Sequence, residues 1–180
     1  MKSIYLILAT LLLLTNCAQE KKNLAGSPSA ESATEEVTIE DPLAGTNLID
    51  NIKLFDLDHQ PIDLNQFAGK KIFLNFWATW CKPCIAEMPS IERAQELLEP
   101  EGYIFLLASD EDVARIKRFK ASNDFELEFV RLETPFPDLG VMSIPTTLII
   151  DEQGKIAMHH VGAREWDSPE VLDQMRSNSM

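Results

Sequence analysis

Phe76-Trp77-Ala78-Thr79-Trp80-Cys81-Lys82-Pro83-Cys84 is the stretch on which the reading of the fold turns. Just ahead of it, Ile72-Phe73-Leu74-Asn75-Phe76-Trp77 is a mostly apolar run, the mark of a strand covered on both faces. Just behind it, Ile85, Met88, Ile91 and Leu98 predict the inward face of a helix from about Lys82 to Leu98. Pro89 lies inside that helix and is expected to kink it, because its ring removes a backbone donor. A buried strand running straight into a helix sets Cys81 at the helix N-terminus. Unpaired N–H groups and the macrodipole favour negative charge there, and Lys82 adds to them. A lowered thiol pKa and a reactive nucleophile follow. Cys84, one turn further in, is better shielded and within reach to attack a mixed disulfide on Cys81. Pro83 fixes the local backbone and tolerates a helix start.

Downstream, strand and helix alternate. Residues 103–108 read as another buried strand. Ser109 or Asp110 is expected to cap a helix that turns Val113, Ile116 and Phe119 inward. Residues 127–132 predict a strand. Two more, Thr146–Ile150 and residues 155–161, are joined by the hairpin turn Asp151-Glu152-Gln153-Gly154. Ser168-Pro169-Glu170 opens a last helix with a capping serine and a proline in its first turn. Upstream, residues 52–57 alternate like a strand, and Asp58-His59-Gln60 turns into a second short strand around Ile62. The class is α/β, and no internal repeat is present.

The first stretch does not belong to this fold. Lys2 supplies a positive n-region, and residues 4–14 form an apolar run shorter than the roughly 20 residues that a membrane-spanning helix needs. Residues 1–16 therefore read as a secretory signal. The run ends in Leu14-Thr15-Asn16-Cys17, which resembles a bacterial lipobox, with Asn16 where that motif usually has a small residue. The resemblance implies a lipid on Cys17, and each buried CH₂ of such an anchor contributes about 0.8 kcal/mol. Residues 17–47 are rich in Lys, Glu, Ser, Ala, Pro and Gly. They predict a flexible tether with a typical span of about 30 Å. The folded domain then occupies residues 48–180.

Composition narrows the chemistry. The chain has 180 residues, 45% hydrophobic and 25% charged, as an ordinary globular protein does. A formal net charge of −13 argues against nucleic acid as partner, because phosphates would be repelled. With Cys17 lipidated, only Cys81 and Cys84 remain of the 3 cysteines, too few for a disulfide scaffold. A structural zinc site wants four ligands, and His159-His160 lie on a distant strand. Haem attachment wants His after Cys84, where Ile85 stands. No metal and no cofactor are expected. His159 and His160 read as structural, Trp77 as core and Trp80 as an apolar rim beside Cys81. Trp166 has no assigned role.

The run from Asn75 to Pro89, with Cys81-Lys82-Pro83-Cys84 and Glu87 before Met88-Pro89, resembles the TlpA/ResA-like thioredoxins of bacterial envelopes. Val141-Met142-Ser143-Ile144-Pro145-Thr146-Thr147 is similar to that family's cis-proline loop, and Asp151-Glu152-Gln153-Gly154-Lys155-Ile156 to its closing hairpin. The likeness covers roughly residues 51–175. It implies a thioredoxin-like fold: a central mixed β-sheet flanked by helices, with an N-terminal β-hairpin extension. Pro145 would follow a cis bond, in a loop facing Cys81. The Ile144 backbone would pair with an extended substrate strand, and Trp80, Ile144 and Pro145 would bind substrate. Many thioredoxins keep a buried aspartate where this chain has Asn75. The family instead carries the glutamate matched by Glu87, a partly buried carboxylate suited to moving protons to and from the thiols.

The activity so implied is thiol-disulfide exchange through a redox-active Cys81–Cys84 disulfide, in the reducing direction. Its partners would be disulfide-containing envelope proteins, apocytochrome c awaiting haem among them, with a membrane thiol transporter as electron donor. A monomer held at the envelope membrane by its lipid is expected. Two alternatives stand beside it. A peroxidase of the same fold usually shows Thr three residues before the attacking cysteine, where this chain has Ala78, and peroxide consumption discriminates it. A redox-idle lipoprotein that only binds a partner would show no thiol exchange.

Overall fold

The computed structural model describes residues 48–177. The expected signal, the lipidation site Cys17 and the tether lie outside these residues. Seven strands form one mixed sheet in the order β2-β1-β5-β4-β3-β6-β7. They are β1 (Leu54–Phe55), β2 (Pro61–Ile62), β3 (Lys71–Phe76), β4 (Tyr103–Ser109), β5 (Phe129–Leu132), β6 (Thr146–Ile150) and β7 (Ile156–Val161). The helices are α1 (Lys82–Leu98), α2 (Val113–Ser122) and α3 (Pro169–Ser177). The sheet is parallel from β3 through β4 to β5 and antiparallel at its other pairings.

The apolar run of β3 is central because both of its faces are covered. On one face Phe73 joins Met88, Ile91 and Leu98 of α1, Ile116 of α2 and Val171, Leu172 and Met175 of α3. On the other, Ile72, Leu74 and Phe76 pack with Ile52, Leu64, Leu139 and Val141. All three helices thus share one face, and the second is closed by 3-10 turns such as Leu64–Phe67 and Phe136–Leu139. The steps β3-α1-β4 and β4-α2-β5 move the same way across the sheet. Right-handed crossovers then put α1 and α2 on the same side. The expected mixed sheet and N-terminal hairpin are present.

In three elements a boundary moves by two residues or more. The first strand shortens to Leu54–Phe55 because Asp56 Oδ1 accepts from the backbone N–H groups of Asp58 and Gln60, both at 2.8 Å, and bends the chain away. Neither Ser109 nor Asp110 caps α2. Ser109 ends β4 and its hydroxyl bonds Glu111, so the helix begins later, with Asp112 at the N-cap position. The fifth strand starts at Phe129 rather than at residue 127. Ser168 does cap the last helix, accepting from Val171 N–H at 3.4 Å.

Candidate active site

β3 ends at Phe76 in the middle of the sheet, so the chain leaves the core there and enters α1 within a few residues. Cys81 occupies the N-cap position of α1, and its Sγ accepts from the Cys84 backbone N–H at 3.3 Å. A donor that the helix start leaves unpaired is thus aimed at sulfur, the arrangement that favours a thiolate once the cysteines are reduced. Here the two sulfurs are joined in a disulfide, S–S 2.05 Å. Cys81 is 3% exposed and Cys84 is fully buried.

Two environments meet at this bond. On the outer side Trp80 is 67% exposed and Met142 83%. With Phe136, Val141, Ser143 and Ile144 they line an open cavity of about 440 Å³, whose one carboxylate is Asp110. Trp80 and Ile144, far apart in sequence, are therefore brought into one groove. The Ile144–Pro145 peptide is cis, and the Pro145 carbonyl accepts from Gly162 N–H at 2.8 Å.

On the inner side Glu87 projects from α1, three residues beyond Cys84 and on nearly the same helix face. It is 3% exposed. Its Oε1 accepts from Asn75 Nδ2 at 2.9 Å, and the same amide nitrogen donates to Thr147 Oγ1 at 2.9 Å. Its Oε2 accepts from the Trp166 indole N–H at 3.0 Å and from the Arg164 backbone N–H at 3.2 Å. Burial pushes the Glu87 carboxyl above its ordinary value, and these three donors offset part of the rise. Burial thus favours the neutral carboxyl at a position that the fold holds by hydrogen bonds from α1's neighbours.

Trp77 is fully buried core. His159 and His160 are half-buried on β7, and the His160 ring meets the edge of Trp166 at 5.6 Å. Among the described residues no group of three or more His, Cys, Asp or Glu is placed to hold a metal ion, and no helix is long and apolar enough to cross a membrane. Sequence reasoning missed Trp166. The sequence shows only a large aromatic isolated in the polar run Gly-Ala-Arg-Glu-Trp-Asp-Ser, which does not say what it meets.

Comparison with known proteins agrees with this geometry. A family profile described as Redoxin matches residues 43–175. The thiol-disulfide oxidoreductase ResA of Bacillus thuringiensis subsp. konkukian is 36% identical over 109 residues, 59% of this chain and 63% of that protein. The thioredoxin-like protein YneN of Bacillus subtilis is 34% identical over 116 residues, 62% of this chain and 68% of that one. The chain thus spans less than two thirds of the length of the ResA relative. Among solved structures, a Chlorobium tepidum protein assigned as thiol:disulfide interchange protein DsbE superposes with a TM-score of 0.62 at 26% identity, covering 70% of this chain and 91% of that one. The exposed lipoprotein thioredoxin Etrx1 of Streptococcus pneumoniae gives 0.59 at 26% identity, covering 69% and 97%.

Proposed function

The chain belongs to the Redoxin family, as a TlpA/ResA-like thioredoxin-fold protein, and on that premise we propose that it reduces disulfides in partner proteins by thiol-disulfide exchange. One observation carries the reading: a disulfide at the first turn of α1 with an apolar docking rim outside it and a buried carboxylic group behind it. In the reduced enzyme the Cys81 thiolate attacks one sulfur of a substrate disulfide. The Cys81–substrate bond forms, the substrate S–S bond breaks, and the departing thiolate takes a proton. Glu87 accepts the Cys84 proton, and the Cys84 thiolate attacks Cys81 Sγ. The Cys81–Cys84 bond forms and the second substrate sulfur leaves with its electron pair, to be protonated in turn. Two electrons and two protons pass to the substrate, and the enzyme ends in the oxidised form described above. A dithiol donor must then reduce it.

Around this core, Trp80, Ile144 and Pro145 bind the substrate segment, and a lipid on Cys17 holds the domain at the bacterial envelope. A membrane thiol transporter is the donor, and apocytochrome c cysteines are one substrate of suitable chemistry. The Etrx1 description as an exposed lipoprotein supports this placement. The test is insulin reduction by dithiothreitol with the wild type, Cys81→Ser and Cys84→Ala. Turnover by the wild type alone is expected, and equal turnover by all three overturns the proposal.

A further inference from the structure

The loop between β7 and α3 carries a ring whose burial asks for a reason. Trp166 is fully buried, with its ring 4.8 Å from Phe73 in an edge contact and the Arg164 guanidinium 5.2 Å from its centre. Packing alone would be met by phenylalanine. It does not call for the indole N–H, which is aimed at Glu87 Oε2, nor for the Arg164 backbone N–H that donates to the same oxygen. The ring is held from α1 as well. The Trp166 backbone N–H donates to Ser90 Oγ at 3.1 Å, and the Ser90 hydroxyl donates to the Glu87 carbonyl at 2.8 Å.

We propose that Trp166 is a positioning residue for the exchange reaction, holding the Glu87 carboxylate in the orientation from which it trades a proton with the Cys84 thiol. The inference rests on the exchange reading above and adds a residue and an atom to it. Two donors occupy Oε2, which leaves it no ready lone pair. Oε1 has only Asn75 Nδ2, so the proton enters at Oε1. Asn75 Oδ1, buried and without a partner among the described residues, accepts that O–H when the amide turns over.

The charged and titratable groups on the surrounding elements are few. They are Cys81 at the N-cap of α1 and Cys84 within it, His160 on β7, and Arg164, Glu165 and Asp167 in the loop, while β3 and β6 present the neutral Asn75 and Thr147. Arg93 pairs with both Glu165 and Asp167. Burial and the nearby Arg164 hold the His160 imidazole below its ordinary range, which disfavours a positive charge beside Trp166. Burial raises the Glu87 carboxyl, and the Trp166 indole N–H is the largest of the hydrogen bonds that oppose it.

Trp166→Phe keeps most of the ring and removes the donor. In the oxidised full chain the Glu87 carboxyl titration, followed by ¹³C NMR, is expected to move up by about one to two pH units. The rising limb of the pH profile for insulin reduction should move with it, at unchanged KM. Phe73→Leu, which loosens the packing around the ring and spares the N–H, should move neither. An unshifted Glu87 midpoint in Trp166→Phe overturns the proposal. Should that variant fail to fold, the wild type still decides: the Trp166 indole proton resonance must shift with the Glu87 midpoint, and a flat resonance overturns it. Failure of the exchange reading abolishes the activity profile for every variant and leaves the carboxyl titration readable, so the two failures are distinct.

Discussion

The two sides of the Cys81–Cys84 bond are built by opposite rules. Outside, Trp80 and Met142 expose large apolar surface to water and leave a groove beside it. Inside, Asn75, Glu87, Thr147 and Trp166 are each 3% exposed or less and tied together by hydrogen bonds. Covering exposed apolar area stabilises it by about 25 cal/mol per Å², so on the proposed reading the outer side is where a partner would dock. The inner side is already finished, and a partner cannot reach it. On the proposed reading, encounter falls to one face of the disulfide and proton handling to the other, acting through Cys84.

The strongest way to break that division is to remove one sulfur at a time. Cys84→Ser should lower turnover by about three orders of magnitude or more while a mixed disulfide with substrate accumulates on Cys81, visible by mass spectrometry or non-reducing electrophoresis. Adducts trapped on Cys84 by a Cys81→Ser variant would invert the assignment of the two faces. A smaller effect sharpens the inner side. Glu87→Gln keeps the shape and removes the proton acceptor, and exchange should slow about 100-fold near pH 7, with a flatter pH profile. Unchanged rates would mean that water, not Glu87, carries the proton.

The helix start was legible in the sequence because its signal is contiguous. Residues 76–84 hold the end of a strand, the cysteine pair and the first helical turn in one run. Glu87 was singled out through a family resemblance, and its spacing of three from Cys84 placed it on the same helix face. The cis peptide before Pro145 came from a resemblance, not from spacing. Trp166 was invisible for a physical reason. Its bond to Glu87 spans 79 positions and depends on how α1 and the loop after β7 meet on one face of the sheet. No periodicity encodes that meeting. The early end of β1 and the late start of α2 have a local cause, since the side chains of Asp56 and Ser109 bond nearby groups in ways that propensity does not anticipate.

Substrate contact should cost less to disturb than proton transfer. Trp80→Ala is expected to raise KM for a protein disulfide about fivefold, near 1 kcal/mol. Its kinetics with a small aliphatic disulfide should stay within experimental error, because a small molecule does not span the groove. Steady-state assays with both substrates check this. An equal loss on both would move Trp80 from docking to the chemistry of Cys81.

The smallest effect tests the inner side with no substrate present. Burial raises the Glu87 carboxyl above its value in the unfolded chain. Between those two values the folded protein binds more protons than the unfolded one, so stability must fall as pH rises through that window, at no more than about 1.4 kcal/mol per pH unit. Below the unfolded value the cost is absent, and above the folded value it is complete. Other groups slope the other way: Lys117 beside Asp58 and Arg176 beside Glu101 hold those carboxyls low, so their contribution is lost as pH falls. They are common to wild type and Glu87→Gln and cancel in the difference. Urea unfolding of both oxidised proteins from pH 4 to 8 should therefore show the variant gaining on the wild type as pH rises, with the difference levelling off once Glu87 is fully ionised. A difference that stays flat would mean that the Glu87 carboxylate is as comfortable inside the fold as in water, and the inner side would lose its claim to hold the proton.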